Sequence, residues 1–447
     1  MEPRTRNLEL RTRNLDPPSL MKLAVDLTPM RPGGQNGGVK LAILEFLRGL
    51  KAERGNEFRY LFLTADDTHD EAASILRQED SVHCVVHRAG RGTFAQSIEL
   101  ITRSRVIAAN LLRRDPADVL YCPFGTVPFI SDQIPAVAMV VDLLHRDYPD
   151  SLPAQTREWR ELHFRKLIRS VDRFQVISEF TAERLQRLYN IQREQICITR
   201  LPIHGRLTPT QAPREPFYFY PANFWVHKNH ETLLVAYQIY LSRTVKKQQL
   251  PWRLVLTGFP DERMGILQQI ALDLGVADRV NFVGHVPEQD LAKLYSTASC
   301  LVFPSLHEGY GIPIVEAMSF GVPIICGRNG SVPEIAGEAA FYEEMRNPSK
   351  LAEALLAIAG NKSLRQKLAV LGRERIAGFD FSIEINRLAE LLKSVAAGPR
   401  PIRRQSGNYL DDIIATGAYY GRSIARHALT AAVQVPLRVE QFAMKGV

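Results

Sequence analysis

Short apolar runs alternate along this chain with longer stretches whose apolar positions recur at helical spacing. In the first half, residues 22–27, 59–64, 82–86, 119–122, 136–141 and 173–177 read as strands, and 94–114 and 155–171 carry a helical pattern. A Pro-rich segment at 202–216 interrupts the alternation. It then resumes, with strands at 217–220, 253–257, 280–283, 300–303 and 322–326 and helical patterns at 262–274 and 288–295. Strands that are apolar almost throughout are covered on both faces, and helices between them make the pairing parallel. The pattern predicts an α/β chain of two doubly wound parallel-sheet domains, with ligands at the strand C-termini.

Length supports the division, because 447 residues exceed what one ordinary core accommodates. A hydrophobic content of 45% with 23% charged residues is that of a globular protein. No run reaches the roughly 18 apolar residues of a membrane span. The first residues are too Arg-rich and apolar-poor for a signal peptide; they contain a tandem repeat, Arg4-Thr-Arg-Asn-Leu8 and Arg11-Thr-Arg-Asn-Leu15, ending at Pro17-Pro18. Residues 1–20 are therefore expected to be a disordered extension, with Met21 opening the folded protein and a candidate translation start. Cys84, Cys122, Cys197, Cys300 and Cys326 are dispersed without metal-ligand spacing and read as free thiols, which points to a cytoplasmic protein.

The net charge of +8 favours anionic partners. Nucleic acid is the weakest of these, since no zinc-finger or RNA-recognition signature is present. Arg103, Arg105, Arg113 and Arg114 mark one helix, and Arg157, Arg160, Arg165, Lys166 and Arg169 another. These are either solvated faces or a peripheral docking surface for anionic membrane. The basic tail 398–447 reads as a surface helix or a poorly ordered segment.

Candidate chemistry concentrates at 307–316, His-Glu-Gly-Tyr-Gly-Ile-Pro-Ile-Val-Glu, after the apolar run 300–304. Gly309 and Gly311 let a loop bend, and Pro313 suits the first turn of a helix. Amides around Tyr310–Ile312 would converge on one spot, with Glu308 beside it and Glu316 in the first helical turn. Two carboxylates and a helix N-terminus suit a ligand with both hydroxyls and phosphates, such as a nucleotide sugar; the bland reading is a helix-capping loop with solvated glutamates. Gly37 and Gly38, between a strand and a helix, form either a second anion-facing loop or an ordinary turn.

Two glutamates separated by seven residues, followed by Ala-Met-Ser-Phe-Gly-Val-Pro, resemble the signature of retaining glycosyltransferases of family 4, which have the GT-B fold of two Rossmann-like domains facing a central cleft. The resemblance runs roughly from Met21 to Val395. It implies an acceptor domain at 21–205, a nucleotide-sugar domain at 206–380 and a closing helix at 381–397 that crosses back to the first domain. Glu308, Asp142 and Lys228 become the catalytic candidates. Gly37, Gly38, Asn223, Lys228, Val286, Gly309, Tyr310, Gly311, Ile312 and Glu316 become the donor-binding set, with Glu316 on the ribose and Val286 near the base. His145 and Ser178 fall on the acceptor side, Ser178 being equally readable as a helix cap. Two positions depart from the family pattern: Val141 stands at its usual His, and Asn223 where an Arg often holds the diphosphate.

The implied reaction moves a hexose, of mannose or glucose type, to a hydroxyl of a glycan or lipid-linked acceptor, with retention. No Asp-x-Asp pair occurs, so neither a metal nor another cofactor is indicated. The nucleoside-diphosphate sugar is the co-substrate; the run Tyr-Pro-Ala-Asn-Phe-Trp-Val-His-Lys-Asn resembles mannosyltransferases of polysaccharide assembly and favours GDP-mannose over a UDP-sugar. The competing readings are a non-catalytic nucleotide-sugar-binding subunit and a GT-B epimerase or phosphorylase-like enzyme. A Rossmann dehydrogenase is poorly supported, because no G-x-G-x-x-G follows a strand.

Overall fold

The computed structural model describes residues 20–88, 107–108, 110–126, 134–201, 205–246 and 250–399. The expectations for residues 1–19, for most of the helical pattern at 94–114 with Arg103 and Arg105, and for 400–447 lie outside them.

Among the described residues the first sheet has seven parallel strands: β1 (Met21–Asp26), β2 (Phe58–Ala65), β3 (Ser81–Val86), β4 (Val119–Cys122), β5 (Ala136–Val140), β6 (Arg173–Val176) and β7 (Ile196–Ile198), in the order β3-β2-β1-β4-β5-β6-β7. The second has six: β8 (Glu215–Pro221), β9 (Arg253–Thr257), β10 (Val280–Gly284), β11 (Ala298–Phe303), β12 (Ile324–Cys326) and β13 (Ala340–Tyr342), in the order β10-β9-β8-β11-β12-β13. Both are doubly wound and parallel throughout, as the apolar strands require. β1, β4, β5 and β11 are buried almost end to end.

Two edge strands were not expected. The run 173–177 reads as the last strand of its half, yet β7 pairs beyond it, and β13 likewise extends the second sheet. Each is three residues long, too short for a period to be visible. β8 also begins inside the Pro-rich segment, with Pro216 near the strand start, where its missing N–H is tolerated.

Helices that matter for the cleft are α1 (Gly38–Arg54), α2 (Ala154–Ser170), α3 (Glu179–Tyr189), α4 (His230–Lys246), α5 (Glu288–Thr297), α6 (Ile312–Ser319) and α7 (Phe381–Ala396). α7 follows the second sheet in sequence but packs on α1 and the first sheet. A Cβ on Gly49 of α1 would sit 2.7 Å from the Phe381 ring, so a glycine admits this close crossing. Arg54 reaches Glu390 at 2.7 Å, Lys393 reaches Glu57 at 3.0 Å, and Ser382 donates to Glu53 at 2.8 Å. Among the described residues, no helix is long and apolar enough to cross a membrane.

Candidate active site

In a doubly wound sheet the connections leave in opposite directions on either side of one strand pair, and a crevice opens at the C-terminal ends of that pair. In the second sheet the pair is β8 and β11. The loop after β8 carries Lys228 and the loop after β11 carries Glu308, so the topology brings together two residues eighty positions apart. Their side chains pair at 2.6 Å and are only 13% and 11% exposed. Burial at this level requires each charge to be matched, which the pair does.

Backbone bonds fix both loops. Tyr220 of β8 donates its hydroxyl to the Lys228 carbonyl at 3.0 Å, and Leu306 N–H donates to the His227 carbonyl at 2.8 Å. Asn229 adopts a left-handed conformation (φ 61°), and its amide donates to the Pro304 and Met345 carbonyls. Ser331 N–H donates to the Glu308 carbonyl at 3.1 Å. Burial, then the neighbouring Lys228 charge, pushes the His227 imidazole down to about 3, so it stays neutral beside the lysine. Lys228 also lies 6.0 Å from the Phe303 ring centre.

The opposite wall comes from the first sheet. Asp142 lies beyond β5, and its Oδ1 accepts from the Leu144 N–H at 3.0 Å with the Arg160 guanidinium 3.8 Å away. Burial pulls its carboxyl upward, but Arg160, His307 and that N–H more than offset this and hold it below the usual carboxylate range. Gly309 presses against the Val141 carbonyl, where any Cβ would overlap the oxygen. The same Cβ would lie 3.1 Å from Asp142 Cβ, so the residue after Glu308 packs directly against Asp142. His307 Nε2 lies 3.9 Å from Asp147 Oδ2 on the same seam, both side chains buried.

Several of the other donor candidates, or residues next to them, meet between the two halves. Gly37 holds φ 60° and ψ −150°, open in practice to glycine alone, and faces the Trp225 ring. A Cβ on Gly38 would lie 2.6 Å from Ile312 Cδ1. Gly34 faces His285, next to the half-buried Val286. Gly311 (φ 99°) starts α6, and Tyr310 is buried just before it. Asn223 does not fill an arginine's role: its Oδ1 accepts from Phe259 N–H at 2.8 Å and its amide donates to the Gly34 carbonyl at 3.4 Å, which ties the two halves together.

Glu316 is the most deeply buried of the donor candidates that carry a charge. Arg206 Nη2 binds one oxygen at 2.6 Å and the Tyr295 hydroxyl the other at 2.7 Å. Burial raises its pKa above the ordinary carboxylate value, and Arg206 and Tyr295 offset only part of that rise.

Both acceptor-side candidates are buried. His145 is 4% exposed, bonded to the Tyr189 hydroxyl at 3.1 Å, 3.3 Å from Glu161 and packed on Phe164. It borders a cavity of about 690 Å³ between α2 and the end of α3, lined also by Arg157, Leu162 and Leu188. Ser178 is fully buried and acts as the N-cap of α3, its Oγ accepting from Thr181 N–H at 3.2 Å. Sequence reasoning missed Arg206 and Glu334. Arg206 carries no spacing signal, and Glu334 acts on a helix more than 150 residues upstream.

The chain matches two family models, "Glycosyltransferase Family 4" over residues 36–203 and "Glycosyl transferases group 1" over 209–375. It is 27% identical over 184 residues to O-antigen chain mannosyltransferase B of Escherichia coli, covering 38% of this chain and 47% of that protein. It is 28% identical over 203 residues to O-antigen chain mannosyltransferase RfbU of Salmonella typhimurium, covering 43% and 51%. The chain thus spans about half the length of the curated relatives it matches. Sucrose-phosphate synthase from Thermosynechococcus elongatus has a similar structure, with a TM-score of 0.67 at 19% identity over 84% of this chain and 99% of that one, and the shared fold is GT-B. With one family model on each parallel sheet and the signature glutamates at the second sheet's crevice, the chain belongs to glycosyltransferase family 4.

Proposed function

We propose that the protein is a retaining glycosyltransferase. It moves a hexose from a nucleoside-diphosphate sugar, GDP-mannose before a UDP-sugar, to a hydroxyl of a glycan or lipid-linked acceptor. The observation that carries the reading is the Lys228–Glu308 pair at the β8/β11 crevice, beside the Gly309–Val141 contact between the two halves. The two mannosyltransferase relatives support the choice of sugar.

Departure of a nucleoside diphosphate concentrates negative charge on the phosphate while the sugar becomes oxocarbenium-like. Lys228 supplies the fixed positive charge for that phosphate, and the N-terminus of α6 adds its dipole. Once Lys228 turns to the diphosphate, Glu308 is released to accept from the hexose hydroxyls. Asp142 is held ionised, so it accepts from and orients the incoming hydroxyl rather than protonating anything. Attack occurs on the face that the diphosphate leaves, and the departing phosphate takes the acceptor's proton. The close approach of the two halves at Gly309 and Val141 limits access of the water that would otherwise hydrolyse the donor.

The test is a panel of nucleotide sugars incubated with acceptor extract, following nucleoside-diphosphate release. One donor is expected to turn over, and Glu308→Ala and Lys228→Ala to lose about a hundredfold or more, the scale of removing a preorganised charge from a developing anion. Donor binding without turnover would instead favour a nucleotide-sugar-binding subunit.

A further inference from the structure

Arg206 is the buried cation of the donor half that the motif does not account for. It lies in the segment that joins the two sheets, immediately after Gly205, whose φ of 89° turns the chain inward. Its side chain is only 8% exposed. One arm, Nη2, reaches Glu316 Oε1 at 2.6 Å and the other, Nη1, reaches Glu288 Oε1 at 2.6 Å. Glu288 opens α5, directly after the 285–287 loop that carries Val286, whereas Glu316 belongs to α6. A single guanidinium therefore sets the distance between the base-side loop and the signature helix.

The two carboxylates differ. Glu288 is 62% exposed and is solvated with or without a partner. Glu316 is 6% exposed and sits where burial favours its neutral form. A neutral carboxyl would spend one oxygen as a donor and could take either orientation. With Arg206 on Oε1 and Tyr295 on Oε2, each oxygen keeps a lone pair in a fixed direction. Two adjacent acceptors in one plane match the two hydroxyls of a vicinal diol.

We propose that Arg206 is a positioning residue for the donor: by bridging Glu288 and Glu316 it holds the Glu316 carboxylate ionised and aimed, so that it receives the vicinal ribose hydroxyls of a nucleoside diphosphate. This rests on reading the cleft as a nucleotide-sugar site. It assigns selection for ribose to a residue of the inter-sheet segment, which touches no part of the substrate itself.

The experiment uses the full chain, unaltered and as Arg206→Gln and Arg206→Lys. Affinities are measured by calorimetry from pH 5 to 8 for GDP, UDP, their 2′,3′-dideoxy forms, and inorganic pyrophosphate, which engages Lys228 without reaching Glu316. The unaltered protein should prefer the ribonucleotide that it binds over its dideoxy form. Arg206→Gln should weaken that ribonucleotide about tenfold or more, the scale of a hydrogen bond to a charged group. Its ribo-to-dideoxy ratio should fall toward one while pyrophosphate is unaffected, and its loss of binding on acidification should move to higher pH. Arg206→Lys, which keeps the charge, should restore most of the ratio and the original acid limb.

An unchanged ratio in Arg206→Gln overturns the proposal. So does an equal loss for pyrophosphate, which would mark a purely structural role. A collapsed ratio in the lysine variant overturns it also, and that variant carries the test should the glutamine protein not fold. If the unaltered protein binds pyrophosphate but no nucleoside diphosphate, the nucleotide-sugar reading itself falls, an outcome distinct from the others.

Discussion

At Gly309 a single missing methyl group decides how closely two walls meet. Its Cα lies against the Val141 carbonyl, so Gly309→Ala forces the Glu308 loop away from Asp142 or distorts the end of β5. Overpacking of this kind typically costs about 1–3 kcal/mol. On the proposed reading the strain falls on the loop that carries Glu308, so turnover should drop by more than tenfold, and by more than the donor affinity to which the same loop contributes. Steady-state kinetics against donor calorimetry checks the split; an equal loss in both would deny Gly309 a role in spacing. At this scale Glu308, Gly309 and Lys228 were legible, because glycine and charged residues inside apolar runs stand out. Arg206 was not, since an arginine in a Pro-rich segment is indistinguishable from a solvated one until the fold buries it. Asn at position 223, where the family pattern often has Arg, was visible, but its bonds to Phe259 of its own half and to Gly34 of the other depend on contacts that no spacing encodes.

Among the elements, α3 shows how one half of the molecule completes the other. Ser178 satisfies the Thr181 amide locally, whereas the Glu179 and Phe180 amides donate to Glu334 at 3.0 and 3.2 Å. A carboxylate from the second sheet's side thus sits at the positive end of a first-sheet helix. Glu334→Gln keeps an acceptor but removes the charge, and should cost about 0.5–1 kcal/mol of unfolding free energy. The loss should shrink as salt is raised, because the helix-dipole term is screened. Denaturant midpoints at low and high salt test this, and a deficit that does not respond to salt would argue against the dipole. The long helices and buried strands were readable from period alone, and several came within a residue or two of their observed ends. β7 and β13 were missed because three residues at a sheet edge, half exposed, offer no alternation to detect.

For the whole molecule, pH acts through groups of opposite sign. Asp26 is buried at the end of β1, and burial, against two bonds from Thr28, pushes its carboxyl from 3.8 up to about 7. The unfolded chain ionises Asp26 first, so this residue costs stability progressively as pH rises from about 4 to 7. His227 and His230 are pushed by burial from 6.5 to about 3, so they cost stability as pH falls below 6.5. Each group contributes about 1.4 kcal/mol per pH unit inside its window. Asp26→Asn should therefore leave stability near its original value at pH 4 and raise it at pH 8, with a steeper fall toward acid between. Chemical denaturation across pH 4–8 measures the gap, and a gap of constant width would refute the assignment. The two-sheet division was readable from the alternation of runs and the Pro-rich segment. The side on which each ionisable group lies was not, because it follows from packing between distant strands.

The return of α7 to α1 also has a temporal side. During synthesis the first sheet leaves the ribosome nearly two hundred residues before the helix that covers part of it. Until Phe381, Ile385 and Leu388 emerge, the nascent first half carries an open apolar strip along α1 and the crevice under Gly49. The second half thus forms while its predecessor is unfinished, and the last turn of synthesis, rather than the first, locks both. Exposed strips of this kind favour association between nascent chains, and a chain that ended just beyond β13 would have both sheets made and its seam unsealed.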